Sequence, residues 1–350
     1  MAWAKNRPAP SIDLAGSNLL ACTLADLPGA RESVDLAGDS PNGYPPLVEA
    51  IAVRAGVSTG QVATAGGCSG ANFLVCAAVL RPGDEVLAER PGYDPLPAAA
   101  QMLGASVRFF ERSFGEGWVL DPDRVAAAVT PRTKLLIVSS PHNPSGVAAS
   151  PSSLRALARL GERNGFHVLV DEVYADTVDG GSIVPAGTRS PAFISTNSLT
   201  KAYGLSSLRC GWSIAAPSVT EAIRRARDVI DVSGAIPAER LSALAFAHLP
   251  ALARRAGEIL ARNRRLWAQF FQERPELACV SADASVVFPR FVDGRDASPF
   301  TQRLFERTGV AVAPGSFFGA PEHFRVSLGG ATENLERGLY EIAREISDPS

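Results

Sequence analysis

The sequence has few cysteines, and their spacing fits neither a disulfide framework nor a structural zinc site. Its 350 residues contain five, Cys22, Cys68, Cys76, Cys210 and Cys279, and no two of them form a Cys-x-x-Cys pair. An odd number of cysteines in a long chain argues against a disulfide scaffold, and structural zinc is normally held by paired cysteines. We therefore expect reduced thiols, no metal and a cytoplasmic location.

The sequence also lacks an excess of basic charge and long apolar runs. Its formal net charge is −2. No uncharged apolar stretch reaches the roughly 18 residues that a membrane-spanning helix needs. The first ten residues contain two prolines and no apolar run, unlike a signal peptide. These absences predict a protein that binds neither nucleic acid nor membranes.

The composition that remains is typical of a compact enzyme or binding protein. Apolar residues make up 46% of the chain and charged residues 20%, so a sizeable core can form and disorder is not expected. The chain is longer than one typical domain. We expect one large domain and one small domain.

Short apolar runs alternate with helical patterns between about residues 60 and 215. Strands are predicted at 85–88, 106–110, 134–139, 166–170, 193–196 and 210–215, and helices at 96–103 and 152–163. Such alternation indicates an α/β fold with a mostly parallel sheet and helices on both faces. A long amphipathic helix at 250–275 is followed by strands at 285–288, 309–313 and 323–328 and helices at 299–308 and 333–346. This last part predicts a small α/β lobe.

Lys201 has a hydroxyl residue, Ser198, three positions before it and an arginine, Arg209, eight positions after it. A lysine amine can form a Schiff base with an aldehyde, and a hydroxyl with a guanidinium can bind a phosphate. A lone lysine is usually a solvated surface charge. The combination instead predicts a site for pyridoxal 5′-phosphate. The spacing resembles the cofactor-lysine motif of class I/II aminotransferases, the aspartate aminotransferase-like group of fold-type I enzymes.

Asp171 follows the predicted strand 166–170, so its carboxylate is expected at the carboxyl edge of the sheet, where such folds bind ligands. There it would pair with the protonated pyridine nitrogen of the cofactor. Tyr174 would direct its hydroxyl at the cofactor's 3′ oxygen. The string Asp-Glu-Val-Tyr resembles the same family. An N-cap of a following helix accounts for one acid equally well.

Asn143 lies between Pro141 and Pro144, which fix the backbone around its amide. Asn-Pro-Ser-Gly is also ordinary turn chemistry. The resemblance to the family's Asn-Pro-(Thr/Ser)-Gly motif implies that Asn143 hydrogen-bonds the 3′ oxygen and the substrate carboxylate.

A glycine-rich turn at 66–70 contains Cys68 and Ser69 and opens a predicted helix. The N–H groups and the dipole of a helix N-terminus can hold a phosphate. Ser69 would add its hydroxyl, and Ser198 and Arg209 would complete the phosphate site. Glycines at this position also fit a simple tight turn.

Arg325 is a charged residue in the otherwise apolar strand 323–328. A buried arginine needs an anionic partner. A bidentate contact with the substrate α-carboxylate is the functional account, and an ion pair with a distant acid is the alternative. Tyr93 lies where family members carry an aromatic residue that stacks on the pyridine ring, although a loop aromatic can also simply fill a gap.

The resemblance runs from about residue 66 to 212 and resumes near 314–327. It implies a fold-type I pyridoxal-phosphate transferase with a large cofactor-binding domain at 31–250 and a small domain at 1–30 and 251–350. It also implies a homodimeric aminotransferase. Such an enzyme moves an amino group between an α-amino acid and a 2-keto acid through an aldimine at Lys201.

Two other functions remain open at the level of sequence. The same residues would support β- or γ-elimination, decarboxylation or cyclisation of an amino acid. A sensor that binds the cofactor without turnover is the second, although no basic helix-turn-helix is present. Tyr44 resembles a tyrosine that reaches the neighbouring subunit's phosphate in relatives, with tighter spacing here. No second arginine for a side-chain carboxylate is identified, which argues against a dicarboxylic amino donor.

Overall fold

The computed structural model describes residues 8–178 and 184–347, in which strands and helices alternate along the chain. The strands are β1 (Ile12–Asp13), β2 (Val62–Gly66), β3 (Glu85–Arg90), β4 (Ser106–Glu111), β5 (Thr133–Ser139), β6 (His167–Asp171), β7 (Phe193–Ser198), β8 (Cys210–Ile214), β9 (Leu277–Ala278), β10 (Val286–Val287), β11 (Arg290–Phe291), β12 (Val310–Ala311), β13 (Ala313–Pro314) and β14 (Phe324–Ser327). The helices are α1 (Ala30–Ser33), α2 (Pro45–Ala55), α3 (Gly67–Val79), α4 (Pro95–Met102), α5 (Pro122–Ala128), α6 (Pro151–Asn164), α7 (Thr200–Tyr203), α8 (Pro217–Ile230), α9 (Ile236–Ala247), α10 (Leu249–Gln272), α11 (Ser298–Thr308) and α12 (Thr332–Ser347).

The largest sheet has seven strands in the order β2-β8-β7-β6-β5-β3-β4. The strands β7, β6, β5, β3 and β4 pair in parallel, whereas β8 runs antiparallel to both of its neighbours. All the strands predicted between residues 60 and 215 belong to this sheet. The predicted α/β fold with a mostly parallel sheet is therefore confirmed.

The central strand β5 shows why these residues form a doubly covered sheet. Leu135 packs in one buried cluster with Val75 of α3, while the next residue, Leu136, packs in another cluster with Leu157 of α6. Successive side chains of a strand point to opposite faces, so both faces must be apolar when helices cover both. The continuous apolar run in the sequence follows from this.

Helix α6 begins and ends at residues that favour those positions. The Ser150 hydroxyl accepts a hydrogen bond from the backbone N–H of Ser153 at 3.0 Å, and Pro151 occupies the first turn. The helix ends at Gly165, whose φ of 69° is in the left-handed region that glycine adopts at little cost. The predicted helix at 152–163 is confirmed with one more residue at each end.

The residues after α10 form smaller sheets against a second core. Strands β10, β14 and β13 pair antiparallel, and β9 pairs with β11. The single strand predicted at 309–313 is divided in two, because β12 pairs with β1 while β13 pairs with β14. Residues of α10, α11 and α12 share the core with Phe291 and Phe324.

The N-terminal segment links this second core to the region around Lys201. Strand β1 pairs in parallel with β12. Farther along, the N–H of Leu19 donates to the carbonyl of Lys201 at 3.0 Å, and that of Cys22 donates to Gly204 at 3.0 Å. The domain boundaries at residues 30 and 250 stay a prediction.

Within the described ranges, every helix is too short or too polar to span a membrane.

Candidate active site

The carboxyl ends of β5, β6 and β7 open onto one cavity. Asn143 follows β5, Asp171 ends β6, and Lys201 follows β7. Ligands of open parallel sheets bind at this edge. The predicted site residues that line the cavity are Cys68, Ser69, Tyr93, Asn143, Asp171, Tyr174, Ser198, Lys201 and Arg209.

The Lys201 amine contacts the N-terminal segment inside the cavity. Its Nζ donates to Ser17 Oγ and to Asn18 Oδ1, both at 2.8 Å. Burial, helped by the positive charge of Arg325 and opposed by Asp171, lowers the pKa of Lys201 to about 8. An amine with this pKa has a substantial neutral fraction near neutral pH, as nucleophilic attack and proton transfer require.

The Asp171 carboxylate is buried and receives three hydrogen bonds. Its Oδ1 accepts from the N–H of Val173 at 3.0 Å and from the Cys68 thiol at 3.5 Å, and its Oδ2 accepts from the Asn72 amide at 2.9 Å. Burial raises the pKa of Asp171, and these donors oppose that rise because they stabilise the charged form.

The alternative role of Asp171 as a helix N-cap does not fit the local structure. The segment after it forms a short 3-10 helix at Ala175–Thr177, and the N-cap of that helix is Tyr174. Asp171 instead presents its side chain to the cavity.

Two tyrosines form further walls of the cavity. Tyr174 is fully buried, and burial raises its pKa. Tyr93 is half-buried, packs edge-on against Phe317 with 6.3 Å between ring centroids, and has its pKa raised by burial to about 12. Both phenols therefore stay protonated at neutral pH and can act as hydrogen-bond donors.

Arg325 and Asn143 bring the small lobe and the central sheet together. Arg325 Nη1 donates to Asn143 Oδ1 at 2.8 Å, and Nη2 donates to the carbonyl of Ala15 at 2.8 Å. The guanidinium carbon also lies 4.9 Å from the ring centroid of Phe318. Among the described residues no acidic side chain pairs with Arg325. The alternative role, an ion pair between Arg325 and a distant acid, is therefore not observed among these residues.

Arg209 faces the glycine-rich turn at the start of α3. Its Nη2 donates to the carbonyl of Gly66 at 3.1 Å. Gly67 has a φ of 78°, in the left-handed region that favours glycine, and a Cβ on it would force the Arg209 guanidinium to move away. The backbone of Arg209 is in the left-handed region, with a φ of 48°. Such strained backbone conformations cluster at functional sites.

Ser69 and Ser198 lie beside Arg209 on the cavity wall. Ser69 is exposed in the first turn of α3, where N–H groups lack partners within the helix. Ser198 is buried, and its hydroxyl accepts from the N–H of Thr200 at 3.3 Å. Hydroxyls and N–H groups beside a guanidinium are chemically suited to binding an anion.

Tyr44 does not line the cavity. Its N–H donates to Glu239 Oε2 at 2.7 Å, and its ring lies 5.7 Å from the guanidinium carbon of Arg240. Because the predicted role of Tyr44 involves the neighbouring subunit, that role stays a prediction.

Sequence patterns did not identify several further polar residues that line this cavity or contact Lys201 in it, among them Ser17, Asn18, Asn72, Ser139 and Thr200. Asn72 carried a readable signal, because it is a polar residue four positions after Cys68 in an otherwise apolar helix. Ser17 and Asn18 meet Lys201 across more than 180 residues of chain. No local pattern predicts such a contact.

The donor set of the cavity fits pyridoxal 5′-phosphate. It combines an amine for the aldehyde, a carboxylate for the ring nitrogen and an anion-binding group for the phosphate. In addition, the buried hydroxyls of Tyr174 and Thr200 have no hydrogen-bond partner of normal geometry among the described residues, although Ser17 interacts with Tyr174. Buried polar groups usually have a partner, so these hydroxyls are suited to a ligand.

Comparisons with known proteins agree with this geometry. The family described as aminotransferase class I and II matches residues 24–342. The chain is 33% identical over 304 residues to capreomycidine synthase of Streptomyces vinaceus, covering 86% of this chain and 78% of that protein. It is 32% identical over 321 residues to aspartate/prephenate aminotransferase of Thermus thermophilus, covering 87% and 82%.

The fold is similar to that of solved aminotransferases. A PLP-dependent aminotransferase from Streptococcus suis superposes with a TM-score of 0.90 at 25% identity, covering 97% of this chain and 94% of that one. The family match spans most of the chain, and most of the site residues predicted from the sequence line one cavity. The chain therefore belongs to the class I and II aminotransferases, of fold type I, and is a pyridoxal 5′-phosphate-dependent aminotransferase.

Proposed function

We propose that this enzyme transfers the amino group of an α-amino acid to a 2-keto acid, with Lys201 as the cofactor anchor and proton carrier. The observation that supports this most is the setting of Lys201. Its amine has a pKa lowered by burial to about 8 and shares one cavity with Asp171 and Arg209. A nucleophilic amine, an anion and an anion-binding group are what this cofactor needs.

Separate residues would hold the two ends of the cofactor. Asp171 would accept a hydrogen bond from the ring nitrogen, and Tyr93 would cover a ring face. Ser69, Ser198 and Arg209 would bind the phosphate, together with the N–H groups at the start of α3. When bound, the cofactor supplies an electron sink for the charge that develops at the substrate's α-carbon.

Tyr174 and Asn143 would complete the polar wall around the ring. The Tyr174 hydroxyl would donate to the 3′ oxygen, because its raised pKa keeps it protonated. The Asn143 amide nitrogen would donate to the same oxygen, because its Oδ1 already accepts from Arg325.

Arg325 would orient the substrate through its α-carboxylate. Its guanidinium is buried, and its hydrogen-bond partners in the chain are neutral oxygens. A carboxylate that replaces or joins these acceptors makes stronger, charge-assisted bonds. This contact would place the α-carbon beside Lys201.

Lys201 would then move one proton. With a pKa near 8, its amine can accept the α-proton as a neutral base and return it elsewhere as an ammonium ion. The hydroxyl of Ser17 and the amide oxygen of Asn18, which accept hydrogen bonds from Nζ, would steady the charged form.

A homodimer in the cytoplasm is part of the proposal. Leu36, Val229, Ile230 and Val232 are exposed by 87%, 86%, 57% and 67%, and we name them the apolar patch. Such groups commonly mark an interface between subunits. Tyr44 is anchored to α9, because its N–H and the Ser40 hydroxyl both donate to Glu239 Oε2. A partner at this surface could receive the Tyr44 hydroxyl at its own cavity, near the phosphate or the substrate.

A second candidate function is a reaction on an amino acid other than amino transfer. The similarity to a capreomycidine synthase favours keeping it. The same cavity residues would serve such a reaction equally well, since the substrate and its orientation decide which bond at or beside the α-carbon changes.

A donor screen tests the proposed function. The purified enzyme is incubated with each common amino acid and an excess of a 2-keto acid, and both products are quantified by chromatography. Amino transfer predicts a new amino acid and a new keto acid in equal amounts, and none with Lys201→Ala. Ammonia or a cyclised product would support the second candidate. Donor binding without product would indicate a sensor, and turnover by Lys201→Ala would refute the role of Lys201.

A further inference from the structure

A face of α3 contacts Asp171 through side chains to which the proposed function gives no task. Cys68 and Asn72 lie one turn apart on this helix, and both donate to the Asp171 carboxylate. Residues four apart on a helix share a face. Both are buried, as is Asp171. The α3 helix therefore meets the carboxylate away from solvent.

The orientation of the Asn72 amide is determined by its neighbours. Asp171 lies at the end of β6, and Thr196 lies opposite it on β7. An ionised carboxylate only accepts hydrogen bonds, so the NH₂ group of Asn72 must face Asp171 Oδ2, at 2.9 Å. The amide oxygen then accepts from the Thr196 hydroxyl at 2.6 Å. Thr196 thus locks the donor of Asn72 towards Asp171.

The two oxygens of Asp171 are used unequally. Oδ1 accepts from Val173 and Cys68, while Oδ2 accepts from Asn72. A carboxylate oxygen offers about two acceptor positions. Oδ2 therefore keeps one position for a ring N–H, and Asn72 occupies the other.

We propose that Asn72 is a positioning residue, which keeps the buried Asp171 carboxylate ionised and fixed in the cofactor cavity, with Thr196 holding the amide in place. This inference rests on the proposed contact of Asp171 with the ring nitrogen. Without the donor, burial would favour the neutral acid. A neutral acid cannot balance the charge of a protonated ring nitrogen.

The charged and titratable groups that interact with Asp171 come from several elements. They are Lys201 on α7, Cys68 on α3, and Tyr93 and Tyr174 in loops. Substitutions at position 72 keep all of these residues, and the contact with them that is lost besides that to Asp171 is the hydrogen bond from the Asn72 amide to Cys68 Sγ, at 3.7 Å. A shift in pH dependence can therefore be traced to the lost or altered group at position 72.

The test compares Asn72→Leu, Asn72→Asp and a control, Asn263→Leu. Asn263 is also a buried asparagine, but it bonds the carbonyls of Leu328 and Gly330. Three quantities are measured: the dissociation constant of pyridoxal 5′-phosphate by fluorescence titration, the acid limb of kcat/KM against pH, and the melting temperature. The first and third need no turnover.

Loss of a hydrogen bond to a charged group predicts cofactor binding about 10-fold weaker or more in Asn72→Leu, with the acid limb at higher pH. Asn72→Asp should bind the cofactor still more weakly, because two carboxylates in contact cannot both ionise freely. Asn263→Leu should lower the melting temperature only. Asn72→Leu with wild-type affinity and an unmoved acid limb would overturn the proposal.

Asp171→Asn separates this inference from the proposed function. If Asp171→Asn binds the cofactor like the wild type, the proposed role of Asp171 fails. If Asp171→Asn is impaired and Asn72→Leu is not, only the positioning role fails. In the Asp171→Asn background, Asn72→Leu should add little, since contacting residues are not additive. Thr196→Val should show an intermediate loss and serves if Asn72→Leu does not fold.

Discussion

Arg325 shows at the scale of one residue how a buried charge is suited to a substrate. Its acceptors, Asn143 and the carbonyl of Ala15, are neutral, and no acid among the described residues pairs with it. A buried cation without an anion is costly. Binding of a substrate carboxylate beside Arg325 should therefore be favourable, because it supplies the missing anion.

Replacing Arg325 tests that arrangement. Arg325→Leu removes two charge-assisted bonds to the substrate, so kcat/KM should fall about 100-fold, mostly through KM. The kcat/KM of Arg325→Lys should lie between those of wild type and Arg325→Leu, because an ammonium ion keeps the charge but lacks the planar, two-pronged guanidinium. Arg344→Leu, at an exposed arginine of α12, is the matched control and should leave KM unchanged. A wild-type KM in Arg325→Leu would contradict the assignment.

Elements of secondary structure were predictable where their determinants are local. The strand β5 was visible as an apolar run, and α6 was visible from its helical spacing, with a serine near its start and Gly165 at its end. The helices α2 and α9 were not predicted. They pack against each other in a core that includes Ile51 and Ala245, and helices that are apolar on several sides lack the single stripe that identifies an amphipathic helix.

The residues of the candidate site also divide into those that local sequence patterns predict and those that only tertiary contacts define. Asp171 ends β6 and Lys201 follows shortly after β7, so the fold alone placed them at one edge of the sheet. Asn72 and Ser17 act through contacts with residues far along the chain. Only tertiary packing brings such groups together, so the sequence could mark Asn72 as an unusual polar residue of its helix but could not show its partners.

The carboxyl group of Glu172, in the loop after β6, should make the free energy of unfolding depend on pH. Glu172 is buried, and its Oε1 accepts from the N–H of Ala186 at 2.7 Å, which ties two segments together. Burial raises the pKa of Glu172 to about 8 from an ordinary value of 4.5. Between these pH values the folded protein keeps a proton that the unfolded chain has released. The free energy of unfolding therefore falls as pH rises through this window.

Glu172→Gln should remove that dependence. Glutamine keeps an oxygen for the Ala186 N–H and has no proton to lose, so the variant should gain stability relative to wild type as pH rises from 4.5 to about 8. Urea denaturation at several pH values measures the difference. A difference in unfolding free energy between Glu172→Gln and wild type that stays constant over this pH range would show that Glu172 does not titrate as expected.

At the scale of the whole molecule, the apolar patch is the proposed contact between two copies of the chain. It includes residues near the end of α8 and Leu36 from the segment before α2. Hydrogen bonds from Arg240 to Ser33 and from Ser40 to Glu239 tie the segment of Leu36 to α9, and Arg227 of α8 donates to the same Glu239. A fixed apolar surface loses little conformational freedom when it is covered.

A charge in the patch should separate the subunits. Val229→Asp should convert a dimer into a monomer in light scattering, because an unpaired carboxylate would be buried in the interface. Met102→Asp is the control, since Met102 is 80% exposed and lies on α4. A monomeric wild type, or a dimeric Val229→Asp, would contradict the proposed interface.

The whole account depends on the Lys201 amine being the group that binds the cofactor aldehyde. The most direct measurement is reduction of the cofactor-loaded enzyme with borohydride, followed by proteolysis and mass spectrometry of the peptides. The account predicts a pyridoxyl group on Lys201 in nearly all molecules. A pyridoxyl group on another lysine, or an unmodified Lys201 in enzyme that is active before reduction, would contradict it.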